Sequence, residues 1–106
     1  MTTDKNSGEV ISLDHSIEFT HAYQTENPDA IKAFFAGSDN VKRILEQENC
    51  IGIRIYNGYD TTRNKANLVL VGVNEEGEDI TNGIIVEDLL ACPPYCPKSS
   101  ALIKQL

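Results

Sequence analysis

Two of the three cysteines in this chain lie close together near its end, in the stretch Cys92-Pro93-Pro94-Tyr95-Cys96. Two thiols at this spacing can ligate a metal ion, form a disulfide, or exchange with other thiols. The two prolines between them restrict the backbone and remove two hydrogen-bond donors. The chemistry of this pair is therefore the first functional question that the sequence raises.

Zinc is one candidate for these thiols, because structural zinc sites use four thiolate or imidazole ligands and accept two to four residues between paired cysteines. Cys50 is the third cysteine, and His15 or His21 would supply the fourth ligand. Only half of the usual pattern is present, since Cys50 and both histidines stand alone in the sequence. No cofactor is therefore predicted, and zinc held by Cys50, Cys92 and Cys96 is the alternative.

A disulfide or a redox-active pair is the other chemical alternative. Disulfide oxidoreductases generally place two residues between their cysteines, at a helix N-terminus that lowers the thiol pKa. This chain has three intervening residues and no strong helix signal after them, so redox catalysis is disfavoured. A Cys92–Cys96 disulfide is allowed if the prolines bring the two α-carbons within about 7 Å. The simplest interpretation treats the cysteines as small apolar side chains and the prolines as a rigid anchor for the tail.

The charge balance bears on which partners the chain can bind. Nine Lys and Arg residues against 16 Asp and Glu residues give a formal net charge of −7. Nucleic acids and anionic membranes bind clustered basic residues, so neither is predicted as a partner. The start of the chain lacks the apolar run of a signal peptide, which predicts a cytoplasmic protein whose thiols stay reduced. A length of 106 residues predicts one domain, 1–106, with residues 1–10 flexible.

Helical spacing dominates the first half of the chain. The predicted helices cover about 12–25, 28–36 and 39–47. The second of these depends on Asn27-Pro28, which is typical of an N-cap followed by the first helical position, and on Ile31, Phe34 and Phe35 at helical spacing.

The apolar period changes to alternation at Cys50, and this change predicts strands in the second half. The predicted strands cover about 51–57, 67–74 and 84–87. Helices followed by strands favour an α+β fold, with the helices packed on a small antiparallel meander and a Cys/Pro-rich tail at the end. The second strand is apolar on both faces, so the tail or a second copy must cover it, and both a monomer and a homodimer are compatible.

Three stretches together carry a resemblance to known proteins: GIRIYNGYD (52–60), LVLVGVNEEGEDI (68–80) and CPPYC (92–96). In this order they resemble a group of small uncharacterised bacterial proteins. Members of that group share a helical first half, a strand hairpin and a Cys-Pro-Pro-x-Cys ending. The resemblance implies that the hairpin and the cysteine tail belong to one architecture, and it brings no established activity and no catalytic residues.

The predicted function is therefore that of a non-catalytic protein-interaction or structural protein with a protein partner. The predicted interaction surface consists of Arg54, Tyr56, Tyr59 and Tyr95, because tyrosine and arginine are enriched at protein contacts. A zinc or thiol/redox module built on the CPPYC stretch is the alternative. No catalytic residue is predicted, since the helical His21 has no nucleophile near it in the sequence.

Overall fold

The computed structural model describes residues 3–105 of the chain. These residues divide into two compact units, unit one with residues 3–7 and Ala36–Leu89, and unit two with Gly8–Phe35 and residues 90–105. The elements in chain order are α1 (Leu13–Glu26), β1 (Ala33–Phe35), α2 (Ser38–Leu45), β2 (Cys50–Tyr56), β3 (Tyr59–Asp60), β4 (Lys65–Ala66), β5 (Val69–Asn74), β6 (Ile85–Val86) and β7 (Leu90–Cys92). Helices combined with small antiparallel sheets confirm the predicted α+β class.

Unit one contains the predicted meander, since its strands lie in the order β2-β5-β6 and every pair is antiparallel. Helix α2 contacts β2 and β5 and buries Ile44 completely, which contributes about 1.5–3 kcal/mol of hydrophobic free energy. The Gln47 side chain just after α2 donates to the Ile44 carbonyl (2.9 Å) and accepts from the Ile84 backbone N–H (2.8 Å). The rest of this core comes from three buried residues of β5: Leu70, Val71 and Val73.

Unit two is organised by α1 and the C-terminal segment. The side chain of Gln24 is only 6% exposed, and its amide nitrogen donates to the Leu102 carbonyl (3.0 Å). Its amide oxygen accepts from the Lys104 backbone N–H (2.7 Å), and a ring nitrogen of His21 lies 2.9 Å from the Ala101 carbonyl oxygen. The C-terminal segment is therefore tied to one face of α1 by buried and half-buried polar groups.

The predicted helix over 28–36 is wrong. Asn27 ends α1 instead of starting a new helix, because its backbone N–H and its side-chain amide both donate to the Tyr23 carbonyl, at 2.9 and 3.0 Å. Ala33–Phe35 forms β1, which pairs with β7 at the other end of the chain. Aromatic residues fit a pleated sheet well, and pairing with so distant a segment leaves no trace in local spacing.

The remaining predicted elements are confirmed, and no end differs from its predicted position by more than two residues. Strands β3, β4 and β7 were not predicted, and each is only two or three residues long. Residues 3–10 contain no helix or strand, and residues 1–2 of the predicted flexible segment lie outside the described residues. Within residues 3–105, no helix is both long and apolar enough to cross a membrane.

Candidate functional site

Strands β1 and β7 place four side chains on one face of a two-stranded sheet. Ala33 lies opposite Cys92, and Phe35 lies opposite Leu90. Side chains alternate between the two faces of a strand, so these four point to the same side. The Lys32 backbone N–H donates to the Cys92 carbonyl (2.7 Å) and extends the pairing by one bond. Among the described residues this sheet has no third strand.

An open apolar cavity of about 570 Å³ lies against this face of the sheet. Phe35 is 62% exposed, Leu90 is 43% exposed and Tyr95 is 62% exposed, so the cavity gathers three large side chains that water still reaches. None of the described residues that line it carries a charged side chain. We name this feature the disulfide groove and define it by Phe35, Leu90, Tyr95, Pro97 and the Cys92–Cys96 pair.

Cys92 and Cys96 are joined by a disulfide, and their α-carbons lie 4.7 Å apart. The peptide bonds Cys92-Pro93 and Pro93-Pro94 are both cis. The turn is closed by the Tyr95 backbone N–H, which donates to the Ala91 carbonyl (2.8 Å). Cys92 is only 2% exposed, whereas Cys96 is exposed, so the bond has one buried end and one end open to solvent.

The disulfide has a direct consequence for the zinc alternative, because a bonded cysteine offers no thiolate to a metal. Cys50 is a free cysteine of unit one, half-buried at the start of β2, and its thiol donates to the Gly52 carbonyl (3.3 Å). Across residues 3–105, no three His, Cys, Asp or Glu side chains are grouped so that they could hold a metal ion. Zinc bound by Cys50, Cys92 and Cys96 stays a prediction that requires the reduced pair.

The predicted interaction residues fall in both units. Arg54 and Tyr56 lie on β2 and converge on Asp79, with 2.5 Å between Arg54 Nη1 and Asp79 Oδ1 and a hydrogen bond from the Tyr56 hydroxyl to Oδ2. Tyr59 is 61% exposed at the start of β3 in the same unit. Tyr95 belongs to unit two and lies in the disulfide groove.

The contacts among Asp79, Arg54 and Tyr56 shift the pKa values of all three side chains. The hydrogen bond from Tyr56, followed by that from Arg54, holds the pKa of the Asp79 carboxyl below its usual value. The hydrogen bond to Asp79 raises the pKa of both the Tyr56 hydroxyl and the Arg54 guanidinium. Arg54 is thus partnered by a carboxylate within its own unit, and the cluster holds β2 against the turn that follows β5.

Phe35, Leu90 and Pro97 belong to the site although the sequence did not predict them there. The predicted helix over 28–36 concealed the strand position of Phe35. One signal could have found the second strand of the groove. The apolar run Leu89-Leu90-Ala91-Cys92 ends at a proline pair, and a short apolar run bounded by prolines is consistent with a strand.

Comparison with known proteins does not assign the groove to a known site. No protein-family model matches this chain, and no curated protein and no solved structure is significantly similar to it.

Proposed function

We propose that this chain is a non-catalytic protein-interaction protein, and that its disulfide groove binds an extended, uncharged and apolar segment of a protein partner. One observation carries the proposal. Phe35 and Leu90 form a cross-strand pair that faces a concave surface, and yet they remain 62% and 43% exposed. Large apolar side chains gathered in a groove are typical of binding surfaces, because soluble proteins otherwise cover them.

The two-stranded sheet supports an extended conformation for the bound segment. Strands β1 and β7 each have one neighbour among the described residues, so an added strand can bond to backbone groups at the sheet edge. Alternate side chains of that strand would point into the groove. Edge pairing would supply affinity, and the apolar groove would supply selectivity.

The charge distribution supports an apolar segment with basic flanks. An ionised side chain in the groove would lose its hydration without meeting an opposite charge, because no described lining residue is charged. Outside the groove the formal net charge of −7 attracts lysine and arginine. The preferred ligand therefore has apolar residues at alternate positions and basic residues beyond them.

We propose a bacterial cytoplasm as the compartment, on the resemblance of the GIRIYNGYD, LVLVGVNEEGEDI and CPPYC stretches. The cytoplasm keeps most thiols reduced, so the Cys92–Cys96 disulfide would form there only transiently. Acid quenching of growing cells, alkylation and mass spectrometry would measure its oxidation state. A mostly reduced pair supports this compartment, and a fully oxidised pair contradicts it.

A random peptide display library selected on the purified protein tests the function directly. We expect the selected peptides to share apolar residues at alternate positions. Their affinity for Phe35→Ser and for Leu90→Ser should be about tenfold lower than for the wild type, since each substitution removes about 1.4 kcal/mol of apolar contact. Phe19→Ser is the matched control, because Phe19 is 65% exposed on α1 and lies outside the groove.

Two results would overturn the proposal, one from this selection and one from a measurement of the oligomeric state. One is a selection whose peptides bind Phe35→Ser and Leu90→Ser as tightly as they bind the wild-type protein. The other is a homodimer in sedimentation equilibrium that Leu90→Ser abolishes, because the groove would then be occupied by a second copy of the chain.

A further inference from the structure

We infer that the disulfide groove is also a site of thiol–disulfide exchange, in which the Cys92–Cys96 bond oxidises two thiols of apolar substrates held in the groove. This inference rests on the proposed binding function and adds a reaction to it. The observation behind it is that both cysteines line the apolar groove and that they differ sharply in exposure.

The exposure of the two cysteines determines which sulfur is attacked. Cys92 is 2% exposed, whereas Cys96 is exposed beside Tyr95 and Pro97. A thiolate that enters the groove can therefore reach the Cys96 sulfur, while the protein shields the sulfur of Cys92. Exchange requires attack along the accessible end of a disulfide, so Cys96 is the electrophile and Cys92 supplies the leaving group.

The reaction balances with thiols as the only co-reactants. A substrate thiolate bonds to Cys96 Sγ, the Cys92–Cys96 bond breaks, and Cys92 leaves as a thiolate that takes up a proton. A second substrate thiolate attacks the substrate sulfur of this mixed disulfide, releases Cys96 as a thiolate that is then protonated, and forms a substrate disulfide. Two substrate thiols are oxidised and one protein disulfide is reduced.

Contact with the groove offsets a leaving group that is slow for every thiol. A thiolate at the position of Cys92 is poorly hydrated, and this slows attack on Cys96 by all thiols equally. A thiol whose apolar part contacts Phe35 and Leu90 is held close to Cys96, which raises its effective concentration there. The site is therefore expected to select thiols by the apolar group they carry.

The test uses two small thiols, benzyl mercaptan with an apolar ring and 2-mercaptoethanol without one. Each reacts with the intact protein at the same thiolate concentration, and the two reaction rates are compared. Samples are quenched with iodoacetamide and mapped by mass spectrometry. We expect benzyl mercaptan to react at least tenfold faster than 2-mercaptoethanol. The benzylthio group should be found on Cys96, and the carbamidomethyl group from iodoacetamide on Cys92. Leu90→Ser should remove the advantage of benzyl mercaptan over 2-mercaptoethanol, whereas Phe19→Ser, outside the groove, should change neither rate.

Equal rates for the two probes, or a benzylthio group on Cys92, would overturn the inference. Benzyl alcohol, which lacks the thiol, separates this failure from failure of the binding function. If benzyl alcohol shifts the amide NMR signals of Phe35 and Leu90 while the two thiols react equally fast, the groove binds apolar groups and does not direct exchange. If neither effect is seen, both proposals fail.

Discussion

Reduction of the Cys92–Cys96 disulfide is expected to destabilise unit two by an amount that depends on the length of the loop it closes. The bond spans a sequence separation of 4, so it closes a very short loop in the unfolded chain. The chain-entropy relation gives about 7 cal/mol/K for such a loop, or about 2 kcal/mol at 25 °C. Because Pro93 and Pro94 already restrict the unfolded loop, this value is an upper limit.

Urea unfolding followed by circular dichroism, with and without a phosphine reductant, measures this loss. The double variant Cys92→Ala with Cys96→Ala should be less stable than the oxidised wild type and should not respond to the reductant. Cys50→Ala is the control, because this free cysteine takes no part in the bond and its variant should respond as the wild type does. The helical signal should persist, since Gln24 still ties α1 to the C-terminal segment.

Two results would refute this reasoning. The first is a free energy of unfolding that does not change on reduction, which would mean that the bond adds nothing to the fold. The second is the reaction of three thiols in urea without reductant, where the structure provides only the thiol of Cys50.

Three further substitutions test the fold that holds the site. Asp79→Asn should make the free energy of unfolding fall less steeply as the pH is lowered. The lowered pKa of Asp79 stabilises the folded state at pH values above the usual aspartate pKa, and this stabilisation is lost as the pH falls through the pKa of the folded state. Acid titration of the variant and the wild type would show the difference. Gly58→Ala should lower the free energy of unfolding in urea by about 1–3 kcal/mol, because the added Cβ would lie 2.5 Å from the Asn67 carbonyl oxygen. Gly52→Ala is the control and should be tolerated, since a Cβ there meets no atom within 4 Å. Ile44→Ala should cost about 2–5 kcal/mol in the same assay because the side chain is fully buried, and a loss below about 1 kcal/mol would contradict that burial.

The sequence was sufficient for elements whose residues interact locally or repeat over several positions. Helix α1 begins within one residue of its predicted start, and the Ser12 side chain caps it by accepting from the His15 backbone N–H. Strands β2 and β5 were visible as alternating and continuous apolar runs. Local spacing is informative in these cases because the same residues both form the element and pack its face.

The parts that could not be predicted depend on contacts between distant segments. Phe34 and Phe35 have helical spacing with Ile31, and only the partner strand Leu90–Cys92 reveals that they belong to a sheet. The disulfide was one of several alternatives for the CPPYC stretch, because the bond depends on how a turn folds. Tyr95 was predicted at an interaction surface and lies in the disulfide groove, while Phe35 and Leu90 come from the pair of strands that was not predicted.

The most direct test of the groove as a binding site is an amide NMR titration of the intact protein with a peptide from the display selection. We expect the largest shift changes at the amides of 33–35, 90–92, Tyr95 and Cys96, saturating with a single affinity, while the amide signal of Phe19 on α1 does not shift. Shift changes centred on Arg54 and Tyr56 instead, or no saturable change at all, would contradict it.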